Sequence, residues 1–284
     1  MTIQYRDFLS KVDGAQEYER YISGLCPFHS DTSPSLLIFK DGWFRCLACN
    51  VNGSWKTLWN KLNGSSFVVH REEHTNWSGP RVHPLDAEEV CYQAHIDLMN
   101  YPSFGWYLEM RGIESMIEPC ELGYYKGWYT IPVRDEEGNF VHAVYRSAPH
   151  VQDATKIRYW CKGKPRMYVP DWNLFNRKDY IVVVFGIFDA ITLAMLRHPV
   201  ATSSHGKDSF QAEWISKYYK NVYIIPDEGE YTTALKLSKG FDWRGNIIRI
   251  DYPRGMDDPA SFAKERRLDE LNEILVSNIK EVQA

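Results

Sequence analysis

Cys26-Pro-Phe-His29 and, after sixteen intervening residues, Cys46-Leu-Ala-Cys49 set three thiols and one imidazole in two short knuckles. Soft sulfur and nitrogen donors at CxxH and CxxC spacing suit a tetrahedral zinc ion, because each knuckle turns two side chains onto one point. A second set of groups is oxygen only. Asp189 follows the apolar run 181–185 and Gly186, Asp227-Glu228-Gly229-Glu230 follows a later apolar run, and Asp257-Asp258 follows a third. Carboxylates brought to one sheet edge repel each other unless cations sit among them. Asp227, Glu230 and Asp257 are therefore candidate ligands of Mg²⁺ or Mn²⁺, with Asp189 as a close partner. Taken singly, each acid reads equally well as a helix cap. The third set is basic. Residues 142–166 hold Arg146, Lys156, Arg158, Lys162, Lys164 and Arg166 against the single acid Asp153, interleaved with Tyr145, Tyr159 and Trp160. Cations track phosphates and aromatic faces stack unpaired bases, so Arg146, Lys156, Arg158, Tyr159, Lys164 and Arg166 are candidate contacts to a nucleic-acid strand.

These groups need elements to position them. The apolar residues 36–39 and 43–44 around Asp41-Gly42 predict a hairpin between the two knuckles, and the mixed stretch 1–25 predicts a leading helix. Together they make a module over 1–63, with too little core to fold without its metal. Breakers without apolar periodicity over 64–85 predict a linker. A helix from Asp86 to about Asn100, a second capped by Ser103, and a hairpin of 129–133 and 140–145 give a mixed α+β basic subdomain over 86–178. Strands at 181–185, 200–202, 222–225 and 246–250 alternate with helices near 190–197, 210–220 and 230–239. That predicts a small open parallel sheet over 179–258 with its acids beyond the strand ends. The tail 259–284 predicts one amphipathic helix through Phe262, Leu268, Leu271, Ile274 and Leu275. The fold class is α/β, multi-domain.

With 284 residues, 44% apolar and 14% aromatic, the chain has ample core and is not disordered, while a net charge of −4 singles out no partner. It carries no leading apolar segment of signal-peptide type and no run long enough to cross a membrane, which predicts a cytoplasmic protein with reduced thiols. Cys91, Cys120 and Cys161 lack ligand spacing and read as buried thiols. Gly206-Lys207-Asp208 lacks the spaced glycine and the Ser/Thr of a nucleotide-binding P-loop.

The chain resembles the bacterial, DnaG-like DNA primases along nearly its whole length. Cys26-Pro-Phe-His29-Ser-Asp-Thr-Ser-Pro34-Ser35, Phe44-Arg-Cys46-Leu-Ala-Cys49 and Gly53 are similar to the family's CHC2 zinc ribbon. Tyr107-Leu108-Glu-Met-Arg111-Gly112-Ile113 and Leu122-Gly123-Tyr124 resemble the start of its polymerase domain. Ile131-Pro132, Gly138, Arg146, Lys156 and Arg158-Tyr159 resemble its template-binding subdomain. Gly186 with Asp189, Asp227 with Glu230, and Gly255-Met-Asp257-Asp258-Pro259 resemble the acidic motifs of its Toprim part. The resemblance implies short RNA primers made on single-stranded DNA by metal-dependent transfer from ribonucleoside triphosphates. It also implies a helicase supplied in trans, since only one helix follows the Toprim-like part, and a phage or plasmid setting. Two positions depart from the pattern. Phe185 stands where the family has a glutamate, and Asp227-Glu-Gly-Glu230 stands for Asp-x-Asp. Phe185 implies the alternative of an impaired relative that binds and recruits without synthesis.

Overall fold

A computed structural model describes residues 3–18, 21–49, 51–64, 86–148, 159–161, 164–176, 179–241 and 245–283, with backbone only at 159–161 and 280–283. The predicted linker, apart from Gly64, lies outside the described residues, as do Lys156 and Arg158.

The first module is an antiparallel sheet in sequential order: β1 (Gln16–Glu17), β2 (Tyr21–Gly24), β3 (Leu36–Phe39), β4 (Trp43–Cys46) and β5 (Asn52–Ser54). The hairpin between the knuckles forms as expected, with Gly42 at φ 98° in its turn. Helix α1 (Trp55–Leu62) follows, capped by Ser54, whose hydroxyl accepts from the Thr57 amide. The leading helix does not extend over 1–25. A single 3-10 turn, Tyr5–Ser10, ends before Gly14, and Tyr21-Ile-Ser-Gly24 pairs with β3 instead. Sheet pairing outweighs the helical spacing there, because Ile22 goes into the ribbon core.

Strand β3 is buried on both faces. Leu36 and Ile38 enter the ribbon core beside Phe8, Phe44 and Leu58. Leu37 and Phe39, on the opposite face, enter the large core of the body beside Trp106, Tyr107 and Tyr129. The alternation of a strand thus fastens the ribbon to the body.

The body begins with α2 (Ala87–Asn100), then a 3-10 turn Pro102–Gly105 and the short α3 (Trp106–Met110). The second helix is thus shorter than expected. Ser103 does not cap it; its amide donates to Asp41 of the ribbon at 3.1 Å. The chain leaves α3 through Gly112, whose φ of 69° and closeness to the Ala263 carbonyl leave no room for a side chain. An antiparallel sheet follows: β6 (Gly123–Tyr125), β7 (Trp128–Arg134), β8 (Phe140–Ser147) and β9 (Tyr159–Cys161). Helix α2 packs across its first three strands.

The second sheet of the body has the order β10-β12-β11-β13-β14. Strands β11 (Tyr180–Val184), β12 (Val200–Ser203), β13 (Asn221–Ile225) and β14 (Gly245–Ile247) are parallel, while β10 (Met167–Tyr168), followed by the one-turn α4 (Trp172–Phe175), adds an antiparallel edge strand that the sequence pattern did not reveal. Val182 and Val184 face a core shared with α5 (Ile187–Met195), α8 (Pro259–Lys264) and α9 (Leu268–Gln283). Ile181, Val183 and Phe185 face the opposite one, with Ile215 of α6 (Ala212–Tyr218) and Ala234 of α7 (Tyr231–Lys239). Three layers result, which is why β11 reads as an uninterrupted apolar run. The tail is two helices and not one. Arg266, at φ 58°, turns the chain between α8 and α9, and Leu271, Leu275 and Ile279 then bury one face of α9. Among the described residues, no helix is long and apolar enough to cross a membrane.

Candidate metal centre and acidic crevice

The two knuckles meet as their spacing requires. One ligand atom from each of Cys26, His29, Cys46 and Cys49 lies within 4.8 Å of the others. The Cys26 and Cys49 sulfurs are 3.8 Å apart, about the edge of a tetrahedron with zinc–sulfur bonds of about 2.3 Å. His29 turns Nδ1 toward Cys46 at 3.9 Å and Nε2 toward Asp31 at 3.5 Å, so the carboxylate fixes the ring that would ligate. Asp31 also accepts from the Cys26 amide at 2.8 Å and from the Ser35 hydroxyl. Around the Cys46 sulfur stand the Cys26 thiol, the Cys49 and Ala48 amides and the Ser35 hydroxyl. The Cys26 hydrogen bond foremost, they bring its pKa down to about 4. That is the environment of a thiolate, the form that binds zinc. Cys91 and Cys120 are buried thiols apart from this site, each pushed up to about 12 by burial.

The acids occupy the carboxyl ends of the parallel strands. From β11 the chain proceeds to β12 on one side, and from β13 to β14 on the other, so the connections diverge between β11 and β13. Ligands of open α/β sheets bind in such a crevice. Gly186 leads out of β11, and a Cβ there would collide with the Asp189 carboxylate, so the glycine lets that side chain fold back over the turn. Asp189, 4% exposed, accepts from the Ala260 amide at 2.9 Å. Burial first, then Asp258 and Asp227, holds its carboxyl far above the usual range. Asp227 follows β13. Burial, then Asp258, Glu230 and Asp257, pushes it up to about 7, and its buried Oδ1 has no hydrogen-bond partner among the described residues. The Glu228 amide donates to the Asp257 carbonyl at 2.7 Å, joining the two acidic loops. Asp258 caps α8 through the Ser261 amide, and Asp257 accepts from the Ser261 hydroxyl at 3.1 Å.

The crevice therefore gathers Asp189, Asp227, Asp257 and Asp258. Glu230 stands at its rim, ion-paired to Lys207 and accepting from the Thr233 hydroxyl, which lowers its pKa. Among the described residues no acidic group closes as tightly as the Cys/His set. Mutual repulsion and an orphaned carboxylate oxygen are still what hard, oxygen-loving cations relieve. Phe185 lies in the opposite core, its ring 5.9 Å from that of Phe210, in an apolar wall beside a cavity of about 290 Å³ lined by Gly186, Ser203, Ser204 and His205. Two contributors to the crevice were not among the ligand candidates of the sequence, although Asp258 belongs to an acidic pair read there. Asp258 is coupled more strongly than Asp257 to Asp189 and Asp227, although adjacent acids look alike in a string. Lys207 follows a glycine whose spacing matched no known loop.

Of the basic candidates, Lys164 and Arg166 are exposed, while Arg146 is half-buried and donates to the Tyr107 hydroxyl at 3.2 Å. Tyr145 is buried, so its ring serves the core and not base stacking. At Tyr159 only the backbone is described, in β9.

The family model of the CHC2 zinc finger, the DnaG zinc ribbon, matches residues 9–83. A DNA primase of Aquifex aeolicus (strain VF5) is 23% identical over 325 aligned residues, covering 89% of this chain and 63% of that protein. The chain thus spans less than two thirds of this curated relative. A crystal structure of the zinc-binding and RNA polymerase domains of the Aquifex aeolicus primase superposes at a TM-score of 0.50 and 18% identity, covering 97% of this chain and 83% of that one. The RNA polymerase domain of Mycobacterium tuberculosis primase DnaG, in complex with a double-stranded DNA oligomer with a 6-nucleotide overhang, superposes at 0.53 and 16% identity, covering 68% and 78%. The ribbon, the order of the two body sheets and these likenesses agree on one architecture: the chain has a CHC2 zinc-finger segment at residues 9–83 and is similar in fold to the zinc-binding and RNA polymerase domains of these primases.

Proposed function

We propose that the protein synthesises short RNA primers on single-stranded DNA. The observation that carries this reading is the crevice: four carboxylates at the divergence of β11 and β13, one with a buried oxygen that has no partner among the described residues. In the reaction the 3′-hydroxyl of one ribonucleotide attacks the α-phosphorus of the next, forming a phosphodiester and releasing pyrophosphate. Asp227 and Asp257, joined by Asp258, would hold Mg²⁺ or Mn²⁺, with Asp189 locking the α8 N-terminus behind them. Such cations lower the pKa of the attacking hydroxyl and stabilise the leaving group. Glu230 aims Lys207 at the rim, where an ammonium would meet the charge of a triphosphate, and its own carboxylate would be a further ligand for the cation. Arg146, Lys164 and Arg166 are the described cations that would meet the template, and Lys156 and Arg158 are further contacts by sequence alone. A replicative helicase is the partner that this reading assigns to the protein. The zinc ribbon helps to choose where synthesis starts.

Synthesis of labelled oligoribonucleotides on single-stranded DNA with Mg²⁺ or Mn²⁺ tests the reading. Asp227→Ala is expected to cut product by about 10²-fold or more while the thermal midpoint holds or rises, because repulsion is relieved. Synthesis at the parent rate by that variant would remove Asp227 from the mechanism.

Phe185 supports a second reading, of a relative that grips a single strand without polymerising. An apolar wall occupies the position where the family carries a glutamate. Salt-sensitive strand binding with no product under either cation would favour it.

A further inference from the structure

A cleft of about 390 Å³ separates the ribbon from the antiparallel sheet of the body. The ribbon contributes Trp43 and Arg45 from β4, and the body contributes Phe104, Tyr124, Tyr125 and Lys126. Arg45 is the unusual member. It is 7% exposed, with its guanidinium 5.4 Å from the centroid of the Trp106 ring. Its Nε and Nη2 have no hydrogen-bond partner among the described residues. A guanidinium stays charged at any working pH, and two buried donors without acceptors are costly. A residue kept in that state is poised for an acceptor that arrives from outside, and a phosphate matches its fork.

The remaining walls fit the other half of such a ligand. Phe104 and Tyr124 stack at 4.8 Å, and Trp43 leaves 37% of its surface open. Lys126 holds its ammonium 5.0 Å from the Tyr125 centroid, on a backbone at φ 47°. Asp97 is the carboxylate on the wall, and its Oδ1 already accepts from the Gln93 amide at 2.9 Å. Two cations against one acid leave the cleft positive, and flat rings line it.

We propose that this cleft binds a nucleotide, its base against the aromatic wall and its phosphate on Arg45 and Lys126, with ribbon and body each supplying half of the site. The inference stands on the cleft and not on the proposed synthesis reaction. Free nucleotides and single strands share this chemistry, so both are used as probes.

Fluorescence anisotropy of a labelled ten-residue oligothymidylate, with the full zinc-loaded chain and no other divalent cation, is the test. Trp43→Ala is expected to weaken binding about tenfold through lost stacking. Lys126→Ala should weaken it about threefold and flatten the salt dependence by about one charge. Arg45→Met should weaken it about tenfold or more at unchanged zinc content, without lowering the thermal midpoint, because an orphaned buried charge is removed. Competition by thymidine 5′-monophosphate that is lost in the same variants marks a free nucleotide as the ligand. Variant-sensitive oligomer binding without that competition marks a strand. Equal binding by the parent and by both Trp43→Ala and Lys126→Ala overturns the proposal, and so does an Arg45→Met protein that loses stability and nothing else. Binding is read here without a divalent cation, whereas the polymerase reading is read from product formed with one, so failure here and failure there are separable.

Discussion

Phe185 sits in the core beneath α6 and α7, and its neighbours decide what a substitution there does. Phe185→Glu is expected to cost about 3 kcal/mol or more in urea denaturation, since a carboxylate would enter an apolar wall without a partner. Phe185→Leu should cost about 1 kcal/mol. A stable, fully folded Phe185→Glu protein would show that the wall opens toward the crevice. His142 makes a second residue-scale prediction. Burial, then His205 and Arg166, hold its pKa at about 4, below that of an unfolded histidine. The unfolded chain therefore takes up a proton first as pH falls, and stability declines from about pH 6.5 down to about 4. Between pH 7 and 5 the parent should lose about 2 kcal/mol more than His142→Gln. Equal losses would mean that the ring is solvated. At this scale the zinc ligands were legible in the sequence, because four donors within two knuckles are a local pattern. Arg45 was not. It alternates with Phe44 along β4 and reads as a solvent-facing residue, and only the docked body buries it.

The parallel sheet was legible element by element, since β-branched runs buried on both faces resemble little else in a chain. The boundaries that failed were ends, where a few backbone bonds decide. The end of α5 illustrates this. The His198 amide donates to the Leu193 carbonyl and the Arg197 amide to that of Ala194, a Schellman pair, with Arg197 at φ 63°. Glycine favours that conformation and arginine does not. Arg197→Gly is therefore expected to stabilise the fold by about 0.5–1 kcal/mol, measured by denaturation. Its ion pair with Asp171, at 3.7 Å and largely exposed, offsets little. A loss of stability would mean that the ion pair outweighs the backbone strain. The split of the tail into α8 and α9 has a similar origin at Arg266, and no periodicity announces it.

For the whole molecule, a ribbon followed by a mixed body with acids at its parallel strand ends was legible in the chain, but the docking of the ribbon was not. Leu36, Leu37, Ile38 and Phe39 read as a buried hairpin strand, and composition says nothing about which partner each face meets. Phe39→Ala is expected to cost about 3 kcal/mol and to speed hydrogen exchange at the Ser103 amide as the ribbon loosens from the body, while the zinc content stays at one per chain. Unchanged exchange at that amide would show that the contact through Asp41 and Ser103 suffices.

Because two interiors share one strand, β3 carries a reading frame of its own. A single inserted residue there would keep every apolar side chain and both knuckles, yet swap the tenants of the two interiors: Leu37 and Phe39 for Leu36 and Ile38. Length at that spot is thus under tighter constraint than identity. A leucine-to-valine exchange is a minor repair, whereas a one-codon slip would evict the metal module from its seat.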